Sequence, residues 1–177
     1  MPLDVAVDLL GTAYVLDAFG AVIGSGGSGI VIASQAGHMG AFPADLEHAL
    51  AYGSIEELHD LPALATIDGS GPAYMIAKRA NALRVQAAAV PWGERGARIN
   101  CLSPGIISTP LARDEMSRPN ADGYQRTQQV SLARRMGTPA EIAELAALLL
   151  DERGGFITGS DILCDGGVIA TMRAGVL

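Results

Sequence analysis

The 177-residue sequence is short of cysteine, of basic side chains and of long apolar runs. Its two cysteines, Cys101 and Cys164, each lie in an apolar stretch. That argues against a disulfide-stapled scaffold and fits reduced thiols in a cytoplasmic protein. Twelve Lys and Arg face 19 Asp and Glu, for a formal net charge of -7. Such a balance argues against nucleic acid or an anionic membrane as the main partner. The longest apolar run, "LAALLL", is too short to span a bilayer. The apolar start "MPLDVAVDLLGTAYVLDAF" has no basic leader and carries Asp4, Asp8 and Asp17, so it does not read as a signal peptide. His38, His48 and His59 fall ten and eleven residues apart with no matching cysteine pair; they read as surface residues, and no metal site is expected. No internal repeat is found.

The chain does hold 49% hydrophobic residues and 22 glycines, enough for one core with many tight turns. Residues 4–23 carry apolar positions at helical spacing. "GSGGSG" (24–29) ends that helix, and "GIVIAS" follows as a short, β-branched strand. "RINCLS" (98–103) and "SDILC" (160–164) read the same way. A second helix is predicted from Pro72, at the first helical position, to about Trp92-Gly93. A third opens at the capping box Thr138-x-x-Glu141 and runs through "IAELAALLL". Alternating helices and strands predict an α/β fold, a parallel sheet covered by helices. Two long connections interrupt the alternation, 35–71 and 104–137. In the first, "PADLEHALAY" and "SIEELHDL" read as short amphipathic helices, the second capped by Ser54 and Glu57.

Three features invite chemistry. "GSGGSG" is spaced like a phosphate loop, but it follows a helix and precedes a strand, so turn glycines are the better reading. Ser34 sits at the carboxyl end of "GIVIAS", where open parallel sheets bind ligands. A strand-end serine is more often a turn former, and without a nucleophile elbow a serine hydrolase has little support. Tyr74 and Lys78 in "AYMIAKRA" lie one helical turn apart, in a stretch otherwise rich in alanine, leucine and valine. The bland alternative is a core tyrosine beside a snorkelling lysine. The functional one is a tyrosine acid–base: a phenol ordinarily keeps its proton to a pH near ~10, and a neighbouring ammonium favours the phenolate.

With "SPGIISTP" after the next strand, the chain resembles the short-chain dehydrogenase/reductases. The resemblance is carried in order by "VDLLGTAYVLDAF", "GIVIASQAG", "AYMIAKRA", "RINCLSPGIISTPL", "GTPAEIAELAALLL" and "FITGSDILCDGG". The 35–71 segment and the ending "DGGVIATMR" look most like the bacterial 3α-hydroxysteroid dehydrogenase/carbonyl reductase branch. It implies that Tyr74 exchanges a proton with a carbonyl or alcohol, that Ser34 hydrogen-bonds the substrate oxygen, and that Lys78 favours the phenolate and holds the nicotinamide ribose. Pro104, Gly105, Ile107 and Thr109 would meet the nicotinamide end of NAD or NADP. The substrate would be a small ketone or secondary alcohol, steroid-like or another carbonyl compound, and the assembly a homo-oligomer. The charged stretch "LARDEMSRPN" with "GYQRTQQ" lies where the family has its substrate lid.

Two departures stand out. Where the family usually has Val-Asn before the serine strand, this chain has Val7-Asp8, whose carboxylate is able to pair with Lys78 directly. The family's T-G-x-x-x-G-x-G and N-N-A-G stretches do not occur in these residues. The expected architecture of 1–177 is therefore one partial, Rossmann-like domain: the C-terminal half of a doubly wound parallel sheet, with three core strands. These residues alone are expected to grip only the nicotinamide end and to be inactive. Two other readings are open. One is a non-catalytic Rossmann-like remnant serving assembly. The other is a sugar-nucleotide epimerase, which shares Y-x-x-x-K but not the "SPGIISTP" and "DGG" ends.

Overall fold

The computed structural model describes residues 2–117 and 122–175; residues 118–121 of the charged stretch lie outside it. Helix α1 (Val5–Val22) begins with π winding over Val5–Leu10 and continues as regular α-helix from Gly11. Val5, Leu9, Ala13 and Leu16 are buried along one stripe, the three-to-four spacing of a core-facing helix. By length and composition α1 could cross a membrane. Here its stripe packs in the core and its Asp8 is ion-paired, as in a core helix.

Three strands form one parallel sheet in the order β1 (Ser28–Ile32), β2 (Arg98–Pro104), β3 (Asp161–Cys164). Val31 pairs with Cys101, and Cys101 with Asp161. Side chains alternate across the strands, so Ile99 and Cys101 face one layer while Ser28 and Arg98 face the other. The first layer is α1 and α5 (Ser70–Glu94), whose Ala82, Val85 and Trp92 pack with Ile99 and Cys101. The second contains α8 (Pro139–Leu150): Ser28 Oγ and Arg98 Nη1 both donate to the Leu149 carbonyl near its end. Each large apolar side chain sealed between layers contributes about 2 kcal/mol.

Helix α5 starts two residues earlier than proline placement predicts. Gly69 caps it at φ 88°, a left-handed conformation suited to glycine, and Pro72 takes the third helical position. The first turn tolerates this because its N–H groups have no intrahelical acceptor to lose.

Between β1 and α5 come a 3-10 turn (Gln35–His38) and helices α2 (Ala44–Tyr52), α3 (Ile55–His59) and α4 (Pro62–Ala65). Their Leu50, Leu58 and Leu64 join Leu9 and Ile76 in a second apolar cluster. The reciprocal cap on α3 is formed: Glu57 N–H donates to Ser54 Oγ at 3.2 Å, and Ser54 N–H to Glu57 Oε2 at 2.7 Å. Thr138 and Glu141 do the same for α8. Arg84 Nη1 donates to the Leu50 and Gly53 carbonyls, which the end of α2 leaves without helical partners. After β2 come α6 (Pro110–Ser117) and α7 (Asp122–Gln129); α9 (Val168–Arg173) follows β3. Among the described residues, β1 is hydrogen-bonded to a neighbour on one side only, and its Ile32 is 50% exposed.

Candidate active site

Tyr74 and Lys78 stand at the amino-terminal end of α5, one turn apart, with the ammonium 5.3 Å from the centre of the phenol ring. Tyr74 is 36% exposed. Lys78, the single lysine of the sequence, is mostly enclosed: its side chain is 12% exposed. An enclosed ammonium needs a partner, and Asp8 supplies it, accepting from Nζ at 2.9 Å. Asp8 sits in the π-wound turn of α1, a deviation common at functional sites. The departure at Val7-Asp8 therefore leads to a direct ion pair. An ammonium has three donors; among the described residues the hydrogen bond to Asp8 is the only one Lys78 makes, so two remain for a ligand.

Ser34 ends the extended chain after β1 and caps the Gln35–His38 turn. Its Oγ accepts from Ala36 N–H at 3.1 Å, which leaves the hydroxyl hydrogen free to donate. The turn lies directly on α5. A Cβ built on Gly37 would sit 2.8 Å from the Lys78 carbonyl carbon and 3.0 Å from its oxygen, so only glycine allows this approach. Ser34 and Lys78 are thereby brought to one place by backbone contact.

His38 is not the surface residue its spacing suggested. Its side chain is 13% exposed, and Nε2 lies 2.8 Å from Asp161 Oδ2. Asp161 is 7% exposed and takes a second hydrogen bond from Ser103 Oγ, on Oδ1, at 2.7 Å. Burial alone would push the Asp161 carboxyl up, but the hydrogen bonds from His38 and Ser103 outweigh it and hold it below the usual carboxylate range. Periodicity has no means of finding this network, because three distant segments build it. The one signal was an aspartate inside the apolar strand "SDILC", which burial obliges to find partners. His48 and His59 are exposed, as expected. Neighbouring Cys101 is inert: burial, and then the Asp161 charge, push its thiol up to about 12.

At the end of β2 the chain turns through Pro104 and Gly105, whose N–H donates to the Cys164 carbonyl. Ile107 forms a bridge to Gly137 in which Gly137 N–H donates to the Ile106 carbonyl and Ser108 N–H to the Gly137 carbonyl. Ile107's own N–H has no partner among the described residues. Thr109 Oγ1 accepts from Ala112 N–H at 3.2 Å at the start of α6, again leaving a hydroxyl hydrogen free. Tyr124, on α7, was not singled out from the sequence. Burial and a hydrogen bond to Glu115 push its phenol above the usual range, and the nearby Tyr74 adds to this. Among the described residues no group of three His, Cys, Asp or Glu could hold a metal ion.

A three-stranded parallel sheet under helices, with Ser34 just after β1, the turn it opens lying on the Lys78 backbone, and Ile107 just after β2, defines a Rossmann-like fold. The profile described as enoyl-(acyl carrier protein) reductase matches residues 46–169. A short-chain dehydrogenase/reductase of Alternaria brassicicola is 39% identical over 170 residues, 93% of this chain and 61% of its own length. The 3-alpha-hydroxysteroid dehydrogenase/carbonyl reductase of Comamonas testosteroni is 31% identical, over 96% of this chain and 66% of its own. The crystal structure of the 3-alpha-hydroxysteroid dehydrogenase from Pseudomonas sp. B-0831 complexed with NADH superposes with a TM-score of 0.79 at 28% identity, covering 96% of this chain and 67% of that one. The chain belongs to the short-chain dehydrogenase/reductase family. It spans under two thirds of the length of the two curated relatives named here.

Proposed function

We propose that these residues form the catalytic half of an oxidoreductase that moves a hydride between NAD or NADP and a ketone or secondary alcohol. The observation that carries the proposal is Lys78, enclosed, 5.3 Å from the Tyr74 ring centre and left with two free donors. The residues fit a nicotinamide nucleoside. Lys78 has donors for ribose hydroxyls, the unpaired Ile107 N–H suits a carboxamide oxygen, and Thr109 has a hydroxyl hydrogen to give. When bound, that group supplies or accepts the hydride.

The chain's own residues do the rest. Ser34 donates its free hydroxyl hydrogen to the substrate oxygen and stabilises the charge that develops there. Tyr74 gives its proton to the same oxygen in reduction, or takes it in oxidation. Lys78 holds its ammonium beside the phenol ring, and Asp8 keeps the ammonium in place. The names of the two hydroxysteroid relatives support a substrate with an apolar ring system.

The test joins this chain to the part of the Comamonas relative that it does not span and measures oxidation of a 3-hydroxysteroid with NAD and NADP. Turnover that survives Tyr74→Phe would overturn the assignment. A joined protein that binds cofactor yet turns over no ketone or alcohol would favour a non-catalytic assembly role. The 177 residues by themselves are expected to bind neither cofactor tightly; micromolar binding with ketone reduction would show that they suffice.

A further inference from the structure

We propose that His38, Asp161 and Ser103 form a buried strut that sets the position of Ser34, which makes His38 and Asp161 positioning residues for the site. This rests on Ser34 being the group that meets the substrate oxygen.

The turn that Ser34 opens is pinned along its whole length. Just before it, Ala33 N–H donates to the Leu102 carbonyl at 2.7 Å and fixes the strand end. At its start Ser34 Oγ takes the Ala36 N–H. In its middle Gly37 lies against the Lys78 carbonyl. At its far end His38 reaches Asp161 at 2.8 Å. Among the described residues, the last contact is the one side-chain hydrogen bond that ties the turn to β3.

Asp161 is suited to the task because it has no freedom of its own. A carboxylate accepts but does not donate, so the proton between it and His38 sits on Nε2. Oδ2 is taken by His38 and Oδ1 by Ser103, one strand away. With both oxygens engaged and the side chain 7% exposed, its rotamer is set by β2 as well as by β3. The strut thus runs from Ser103 on β2, through Asp161 on β3, to the end of the turn behind Ser34. Without it the turn keeps its packing on α5 and short-range hydrogen bonds, Ala36 N–H to Ser34 Oγ, Gly37 N–H to the Ser34 carbonyl and Met39 N–H to the Ala36 carbonyl, and short-range bonds of this kind open easily. Misplacing a group that must meet a reacting oxygen by about 1 Å can cost on the order of 100-fold in rate.

The experiment pairs His38→Leu with His38→Gln, whose amide N–H can still reach the carboxylate. Amide hydrogen exchange on the 177-residue chain is read first, since it needs no activity. His38→Leu is expected to speed exchange across 35–39 by about tenfold or more with the middle of α5 unchanged, and His38→Gln to stay near the parent. In the joined protein, His38→Leu is expected to lower kcat about tenfold or more with KM for the cofactor held, and His38→Gln to recover most of it. Unchanged exchange at 35–39 overturns the strut. Faster exchange with unchanged kcat, in a protein that Tyr74→Phe inactivates, overturns the positioning role and leaves the reading of the site standing. If Tyr74→Phe is also without effect, that reading falls and the positioning role with it. Should His38→Leu fail to fold, Ser103→Ala, which frees one Asp161 oxygen, is expected to move both readouts the same way by less.

Discussion

Two largely enclosed side-chain pairs flank the turn that Ser34 opens, and they differ in what they leave unused. In the Lys78–Asp8 pair the ammonium has one hydrogen bond and two idle donors, and the Asp8 side chain is 29% exposed. In the His38–Asp161 pair both carboxylate oxygens are engaged and Asp161 is sealed. Both remove the penalty of an enclosed charge. Only the first keeps capacity for a third party. Spare donors beside a half-exposed phenol suit chemistry; saturated acceptors inside a sheet suit holding. Enclosure by itself does not tell the two apart.

The most severe way to break the comparison is at the phenol beside the open pair. Tyr74→Phe is expected to lower kcat of the joined protein by about 100- to 10,000-fold, since it removes the acid–base group. The melting temperature should be unmoved, because the hydroxyl of Tyr74 makes no hydrogen bond among the described residues. Circular dichroism and steady-state kinetics check both halves.

The closed pair should answer in stability and with a definite pH sign. Asp161 is held below the usual carboxylate range. Its contribution is therefore complete above the unfolded carboxyl value near ~3.9 and is lost as pH falls below that, through the lower folded value. His38→Leu and Ser103→Ala each remove one hydrogen bond that opposes the effect of burial. Each is expected to cost about 1–3 kcal/mol near neutrality and to move the onset of acid unfolding to higher pH than in the parent. Unfolding followed from pH 7 to about pH 2 would show it; coincident acid limbs would remove Asp161 from the account.

A gentler change sharpens the open pair. Asp8→Asn keeps an acceptor for Lys78 but deletes the carboxylate charge of the pair. The kcat of the joined protein is expected to fall less than about tenfold. A loss as large as that of Tyr74→Phe would mean that the Asp8 carboxylate itself takes part in proton transfer. The smallest effect is expected away from both pairs: Ser54→Ala removes one half of the α3 cap and should cost about 1 kcal/mol by denaturant titration. The turnover of the joined protein should be unaffected.

The sequence by itself determined the strands, the long and capped helices and the Tyr74–Lys78 spacing. Three apolar, β-branched runs, two capping boxes and a glycine-rich break became three strands, capped α3 and α8, and a turn. Local chemistry governs such features, and local chemistry is written in adjacent residues. The four-residue spacing of Tyr74 and Lys78 was legible because helical period alone puts them on one face. Tertiary structure decided the rest. The resemblance pointed to Asp8 as a carboxylate able to pair with Lys78, but only packing of α1 on α5 could bring it to a lysine 70 positions away. Only the parallel register, with Cys101 opposite Asp161, could bring a strand-start carboxylate within reach of His38, 123 positions distant, and so contradict its surface reading. Burial is a property of the assembled layers, and a charge must find its partner wherever those layers bring one.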